Sequence, residues 1–245
     1  MSDAYVSHLR NVCRISLVAY ATRVSNTPPD CDLVLPCRDE GPALVGLIPR
    51  IPAEFAVIVV DNGSRDDTAR VASELGATVV VEDRPGYGSA VHAGLLAATH
   101  EYVAFMDGDG SFDPEALLPM LHQVREGRAD MALGRRRPST RGVWPWHARV
   151  GNALIAAWLR RRIGMSVHDF GPIRVCRRQA LLDLGVQDRR FGYPVELLQK
   201  ATNAGWRVTE HDVAYGPRAE GTKSKVSGSV VGTARAARDF ARVLR

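Results

Sequence analysis

No apolar run in this 245-residue chain approaches the roughly 18 residues needed to cross a bilayer as a helix; the longest candidates, Ala56 to Val60 and Val79 to Val81, are short. The four cysteines, Cys13, Cys31, Cys37 and Cys176, include no CxxC pair. Such spacing supports neither a zinc site nor a disulfide framework, and a reducing cytoplasm is its simplest home. The stretch Arg14 to Ala21 sets a basic residue before a short apolar run. Tyr20, Thr22 and Arg23 break that run and no clear cleavage site follows, so a signal peptide is not expected. Internal repeats are absent. Aromatic residues are sparse at 7%, and those of the second half, Trp144, Trp146, Trp158, Phe170, Phe191 and Tyr193, form no base-stacking motif. No nucleic-acid partner is expected.

What the chain does have is an ordinary globular composition, 45% hydrophobic and 24% charged, in a length suited to one α/β domain with a full core. Its net charge of +5 hides an asymmetry. Residues 1–134 carry 10 Lys/Arg against 19 Asp/Glu, and residues 135–245 carry 22 against 8. A basic half beside an acidic one suits an anionic partner such as phosphate, nucleic acid or an anionic membrane surface; the plainer reading is a solvated face.

Residues 1–29 lack clean periodicity, end in Thr27-Pro28-Pro29 and read as an N-terminal extension. From Asp30 onward, short apolar runs alternate with helical patterns. Leu33–Leu35 precedes a helix through Leu44–Ile48, Ala56–Val60 one from about Asp67 to Leu75, Thr78–Val81 one over Ser89–Ala98, and Tyr102–Met106 one over Pro114–Arg125. This alternation predicts an α/β fold with a single doubly wound, mostly parallel sheet flanked by helices, and functional residues in loops at the carboxyl ends of its strands. After a strand at Met131–Leu133 the pattern loosens through Gly134–Pro138 and a Trp-rich turn to a helix over about Ala148–Arg162. The domain is placed at 30–228. Residues 229–245, with Val230, Ala234, Ala237, Ala241 and Leu244 at helical spacing and Arg235, Arg238, Arg242 and Arg245 on other faces, predict a basic amphipathic helix, docked on the sheet or lying on a membrane surface.

The chemistry centres on Asp107-Gly108-Asp109, which follows the strand Tyr102–Met106. Two carboxylates one residue apart at a strand end can face one hard cation and leave its other positions to phosphate oxygens and water. Gly108 and Gly110 allow a tight turn and close backbone approach to a ligand. A calcium loop would also place Asp107, Asp109 and Ser111 at its first, third and fifth positions. It fails at the sixth, Phe112 where glycine is required, and at the twelfth, Leu118 where glutamate is required. Helix capping explains Asp113 and leaves Asp107 and Asp109 unexplained.

A lone acidic pair is weak evidence, and its company strengthens it: Leu33-Val34-Leu35-Pro36-Cys37-Arg38-Asp39-Glu40, then Val57–Val60 running into Asp61-Asn62-Gly63-Ser64-Arg65-Asp66-Asp67-Thr68, then Arg84-Pro85-Gly86-Tyr87-Gly88. With these segments the sequence resembles the family 2 glycosyltransferases of GT-A fold, over roughly residues 31–226. The resemblance implies that Pro36, Arg38 and Glu40 line a nucleotide pocket and that Asp61, ahead of Gly63, offers its carboxylate to the base, uracil and guanine both presenting suitable donors. Turn chemistry in Asp61-Asn62-Gly63 is the plainer alternative. Gly86 and Gly88 would let the chain pass close to the donor, although a bare loop is as economical.

The second half resembles, more narrowly, polyprenyl-phosphate hexose transferases of the dolichol-phosphate mannose synthase type. The matching pieces are Gly134-Arg135, Asp169-Phe170-Gly171-Pro172-Ile173-Arg174, Gly192-Tyr193-Pro194-Val195-Glu196-Leu197 and Arg218 through Lys225. That likeness implies Arg218 and Lys223 at the donor diphosphate, Arg135 and Arg174 at the acceptor phosphate, and Mg2+ or Mn2+ at Asp107 and Asp109. Arginine grips phosphate bidentately and lysine acts as a mobile point charge. Relatives commonly carry Gln or a similar residue shortly after the acidic pair, where this chain has Gly110-Ser111, and many carry C-terminal membrane helices.

The expected reaction is inverting transfer of a hexose from GDP-mannose or UDP-glucose to polyprenyl phosphate, by a protein that is cytoplasmic or peripheral on the cytoplasmic membrane face. Asp109 then acts at the reacting centre. A sugar or small-molecule hydroxyl acceptor would need a carboxylate base, Asp169 or Glu196, and the residues do not choose between them; either could instead orient Arg135 or Arg174. A nucleotidyltransferase would share fold and metal, but Pro36 to Glu40 is no Gly-rich phosphate loop. A dinucleotide-binding enzyme lacks its third glycine after Gly86-Tyr87-Gly88.

Overall fold

The computed structural model describes residues 28–140, 142–164, 167–220 and 238–239. The expected C-terminal helix lies outside these apart from residues 238 and 239, and the expected N-terminal extension apart from 28 and 29.

In chain order the elements are β1 Cys31–Cys37, α1 Gly41–Leu47, β2 Phe55–Asp61, α2 Thr68–Glu74, β3 Thr78–Val81, α3 Tyr87–Ala97, β4 Tyr102–Phe105, α4 Leu117–Arg125, β5 Met131–Pro138, α5 Trp146–Ile163, β6 Arg174–Arg177, α6 Arg178–Asp183, α7 Tyr193–Asn203 and β7 Val208–Tyr215, with short 3-10 turns at Ile48–Arg50 and Pro114–Ala116. The strands form one seven-stranded sheet ordered β3-β2-β1-β4-β6-β5-β7. All neighbours pair in parallel except β6, which runs antiparallel to β4 and β5.

Strand parity divides the core. Leu33, Leu35, Val59, Ala104 and Ala132 turn towards α1, α2 and α4; Val34, Ile58, Val60, Phe105, Met131 and Leu133 turn towards α3, α5 and α7. Helices on both faces bury most of the central strands, which is why β1, β2 and β4 read as near-continuous apolar runs.

Two readings of the sequence are corrected. Gly134–Pro138, expected to loosen, continues β5, because β7 pairs with it from Met131 to Pro138. Trp146, placed in a turn, opens α5. Elements β6, α6, α7 and β7 were not resolved from the sequence. β6 is four residues with arginine at both ends, and β7 is an edge strand whose polar residues blur its period.

Candidate active site

The C-terminal ends of β1, β2 and β4 bring three loops together. The order runs from β1 outward through β2 on one side and starts again with β4 on the other, so the topological switch point lies between β1 and β4. The Arg38–Glu40 loop leaves β1 there and the Asp107–Asp109 loop leaves β4. They pack so closely that a Cβ on Gly108 would stand 2.4 Å from Cys37 Sγ and 3.1 Å from Glu40 Oε2. Gly110 takes φ of 76°, a turn that favours glycine.

The two aspartates sit in different surroundings. Asp109 is buried, accepts the Ser111 N–H through Oδ1 at 3.0 Å and is ion-paired with Arg218 through Oδ2. The segment carrying Arg218 is laced to this loop by Ala219 N–H to Asp109 O at 2.9 Å and Gly216 N–H to Ser111 O at 2.8 Å. Asp107 makes no hydrogen bond or ion pair among the described residues. Burial first, then Asp109, push its carboxyl up to about 7, while Arg136, Arg218 and Arg174 pull the other way. Among the described residues no third His, Cys, Asp or Glu completes a metal-holding cluster. An unpartnered carboxylate beside a second one suits a divalent cation whose remaining positions are taken by phosphate oxygens and water.

Arg136 enters this field from β5. Its Nε and Nη2 grip Asp169 at 2.8 and 2.7 Å, its backbone N–H donates to the same carboxylate at 2.9 Å, and its guanidinium lies 4.1 Å from the Trp144 ring centroid. Asn152 of α5 accepts a further bond from Nη2 at 3.3 Å. Asp169 is 1% exposed, and its own N–H is held by Glu210 at 2.9 Å. Arg174 is 2% exposed, donates to the Gly171 carbonyl at 2.9 Å and keeps Nε buried without a partner; the buried Tyr193 hydroxyl likewise has none. The Tyr87 phenol, pushed up to about 12 chiefly by burial, feels both Arg174 and Asp107.

The other expected site residues fall as follows. Asp61 ends β2 and accepts the Ser64 N–H at 2.8 Å through Oδ1, so the Asp-Asn-Gly turn, with Gly63 at φ 79°, exists, and Oδ2 takes no part in it. Pro36 lies within β1 and Arg38 is exposed. The Glu40 N–H donates to Thr68 Oγ1 at 3.0 Å, which ties the β1 loop to the β2 loop. Lys223 lies outside the described residues. Arg135 turns to the sheet face opposite Arg136, because successive strand side chains alternate.

Two residues have structural duties instead of those expected. Glu196 accepts the backbone N–H groups of Gln187 and Asp188 at 2.9 and 2.6 Å and pairs with Lys200, so it fastens a turn. Gly88 serves a close approach to the 188–190 backbone: a Cβ there would lie 2.8 Å from Arg189 C and Asp188 O. The carbonyls of Arg189 and Arg190 accept from the start of α3, through Gly88 N–H to Arg190 O at 3.0 Å and Ser89 N–H to Arg189 O at 2.9 Å. Gly88→Ala is therefore expected to destabilise by about 2–3 kcal/mol, since backbone cannot yield as a flexible side chain can; a urea midpoint equal to wild type would refute this.

Sequence reasoning missed Arg136, Trp144, Tyr87 and Asn62. Asn62 donates to the carbonyls of Glu82 and Arg84 at 2.8 Å each and accepts the Gly86 N–H at 2.9 Å, bracing the loop that leads into α3. A continuous β5 would have shown that Arg135 and Arg136 face opposite ways, though not which one meets Asp107.

Residues 32–184, more than half of the chain, match the family model described as glycosyl transferase family 2. The chain belongs to that family. An uncharacterized glycosyltransferase of Mycobacterium tuberculosis is 55% identical over 212 residues, 86% of this chain and 96% of the relative. Polyprenol monophosphomannose synthase of Mycolicibacterium smegmatis is 33% identical over 208 residues, 78% of each chain. Glucosyl-3-phosphoglycerate synthase of Mycobacterium tuberculosis, solved with Mn2+, UDP and glucosyl-3-phosphoglycerate, shares the fold with a TM-score of 0.66 at 21% identity, over 93% of this chain and 80% of that one. The GT-A architecture expected from sequence is thus the architecture found. Membership makes the chain a glycosyltransferase and sets aside the nucleotidyltransferase and nucleic-acid readings. Among the described residues no helix is long and apolar enough to cross a membrane.

Proposed function

We propose that this glycosyltransferase moves a hexose from GDP-mannose or UDP-glucose to polyprenyl phosphate, with inversion. The observation that carries the reading is Asp107, half-buried and with no hydrogen bond or ion pair among the described residues, beside the buried Asp109 and in the field of Arg136, Arg174 and Arg218. Three guanidiniums and two carboxylates make little sense as a closed structural network. They suit two phosphate groups and a divalent cation gathered at one point.

Asp107 and Asp109 would hold Mg2+ or Mn2+, which supplies charge neutralisation for the donor diphosphate. The solved Mycobacterium tuberculosis relative, which was captured with Mn2+ and UDP, supports this. Arg218, held by Asp109, stabilises the departing nucleoside diphosphate, with Lys223 as a further cation, and Asp61 accepts the base N–H at the far end of the crevice. Arg136 and Arg174 orient the acceptor phosphate, and Arg135 is the remaining candidate for that duty. The acceptor oxygen forms its bond to the anomeric carbon as the bond from that carbon to the diphosphate oxygen breaks. The electron pair leaves with the diphosphate, and one displacement inverts the centre.

A phosphate acceptor is already anionic at neutral pH and needs no general base. That agrees with the state of the two carboxylates offered for base work: Asp169 is engaged by Arg136 and Glu196 by two backbone N–H groups and Lys200. A hydroxyl acceptor would require one of them free. The 33% identical polyprenol monophosphomannose synthase supports the lipid acceptor further. We further propose the domain as residues 30–228 and a location in the cytoplasm at the membrane face. Screening both donors with Mg2+ and Mn2+ against polyprenyl phosphate, 3-phosphoglycerate and simple sugars tests the assignment. Transfer to polyprenyl phosphate is expected, and transfer only to a soluble acceptor would overturn it.

A further inference from the structure

Six large apolar side chains are strongly exposed among the described residues, and three of them share one helix. Val45, Val81 and Leu96 stand singly on separate elements, as exposed apolar residues commonly do. Trp146, Val150 and Leu154 of α5 are 76%, 49% and 67% exposed and follow one another at i, i+4 and i+8. At about 100° per residue they span an arc of roughly 80°, with Ala153 and Ala157 inside or beside it. The buried side of the helix, Asn152, Ala156 and Leu159, points the other way.

The stretch of chain that carries this stripe is charged with one sign. Residues 135–163 contain eight arginines and no Asp or Glu. Arg149, Arg160 and Arg161 are exposed close to the stripe. Arginine stems can lie along an apolar boundary while their heads reach anionic groups, and tryptophan favours the boundary itself. Three side chains are too small a patch for a stable dimer, which buries about 800 Å² per partner.

The helix is also wired to the active site. Its Asn152 accepts from Arg136 and donates to the His168 carbonyl at 3.1 Å. Trp144, just before its first turn, carries the Arg136 guanidinium. A cleft of about 420 Å³, lined by Pro138, Ser139, Thr140, Gly142, Trp144 and Arg149, opens between the start of α5 and the end of β5.

We propose that the Trp146–Val150–Leu154 face of α5 docks on an anionic phospholipid surface and sets the cleft at Trp144 and Arg149 against it as the entry for the acceptor headgroup. The docking stands on the exposed stripe and its charge; the headgroup entry rests on the polyprenyl-phosphate reading. The full chain is spun down with vesicles of phosphatidylcholine containing a quarter phosphatidylglycerol, and with phosphatidylcholine alone. Binding to the anionic vesicles is expected to be about tenfold tighter or more, and the double variant Trp146→Glu, Leu154→Glu is expected to lose at least tenfold of it. Both positions are exposed, so the variant should keep the wild-type melting temperature, nucleoside-diphosphate binding with Mn2+, and transfer to a short-chain polyprenyl phosphate in detergent.

Wild type that stays in the supernatant, or a double variant that pellets like wild type, overturns the proposal. So does a wild-type dimer in sedimentation velocity that the double variant dissolves. Vesicle binding uses neither donor nor acceptor. A protein that docks through this face yet glycosylates only soluble acceptors would therefore keep the surface and refute the acceptor.

Discussion

Asp107→Asn is expected to lower transfer about a thousandfold or more while leaving the fold intact, because it removes a carboxylate proposed to hold the cation and breaks no internal bond. Asp107 has no hydrogen bond or ion pair among the described residues, so the isosteric amide disturbs only charge. Its carboxyl is pushed up to about 7, above the value of about 4 in an unfolded chain. Between those values the native state holds more protons than the unfolded one, so the metal-free protein loses stability as pH rises from about 4 to about 7. The asparagine variant should lack this loss and, at pH 8 without metal, melt no lower than wild type. Asp109→Asn should also abolish transfer, but it takes the partner from Arg218 and should loosen the segment laced to the loop. Calorimetry of nucleoside diphosphate with Mn2+, thermal melts across pH and transfer rates separate the two. Undiminished metal-dependent nucleotide binding by Asp107→Asn would remove Asp107 from the site.

The second large effect is at Arg136 and Asp169. Asp169→Asn is expected to cost about 3–5 kcal/mol, because it leaves a desolvated guanidinium without its counter-charge. Activity should fall with it, since Asp169 holds the two Arg136 nitrogens that fix the guanidinium over Trp144. The double variant Arg136→Met, Asp169→Leu replaces a buried pair by apolar groups of similar size, which is commonly neutral or stabilising. It should recover most of the lost stability in urea unfolding and none of the transfer. Recovery of both would make the pair a structural tie only; wild-type stability and activity in Asp169→Asn would dismiss it altogether.

The readable part of the molecule was its parallel half. β1, β2 and β4 are largely buried on both faces, so their sequences are mostly apolar, and each runs into a polar turn, with Asp61 at the end of β2 and Asp107 just after β4. The antiparallel insertion β6 and the edge strand β7 are less readable, since a four-residue strand with arginine ends and a strand with four consecutive polar residues, Thr209 to Asp212, resemble loops. The site divides in the same way. Arg218 pairs with Asp109 next to Asp107, and Asp61 ends β2, which β1 separates from β4. Arg136 is hidden in a run of three arginines, the contacts of Glu196 and Gly88 with the 187–190 turn leave no local signature, and Tyr87 reads as an ordinary loop residue.

Local sequence determined what short-range physics decides: which stretches extend or coil, where turns need glycine, and that a strand end presents two carboxylates one residue apart. Only the tertiary structure decided which cations meet them. β7 pairs along all of β5 and so sets the strand parity that turns Arg136 to one sheet face and Arg135 to the other. The same pairing carries the chain from Tyr215 back across the Asp109 loop, a meeting of residues more than a hundred positions apart that no local pattern encodes.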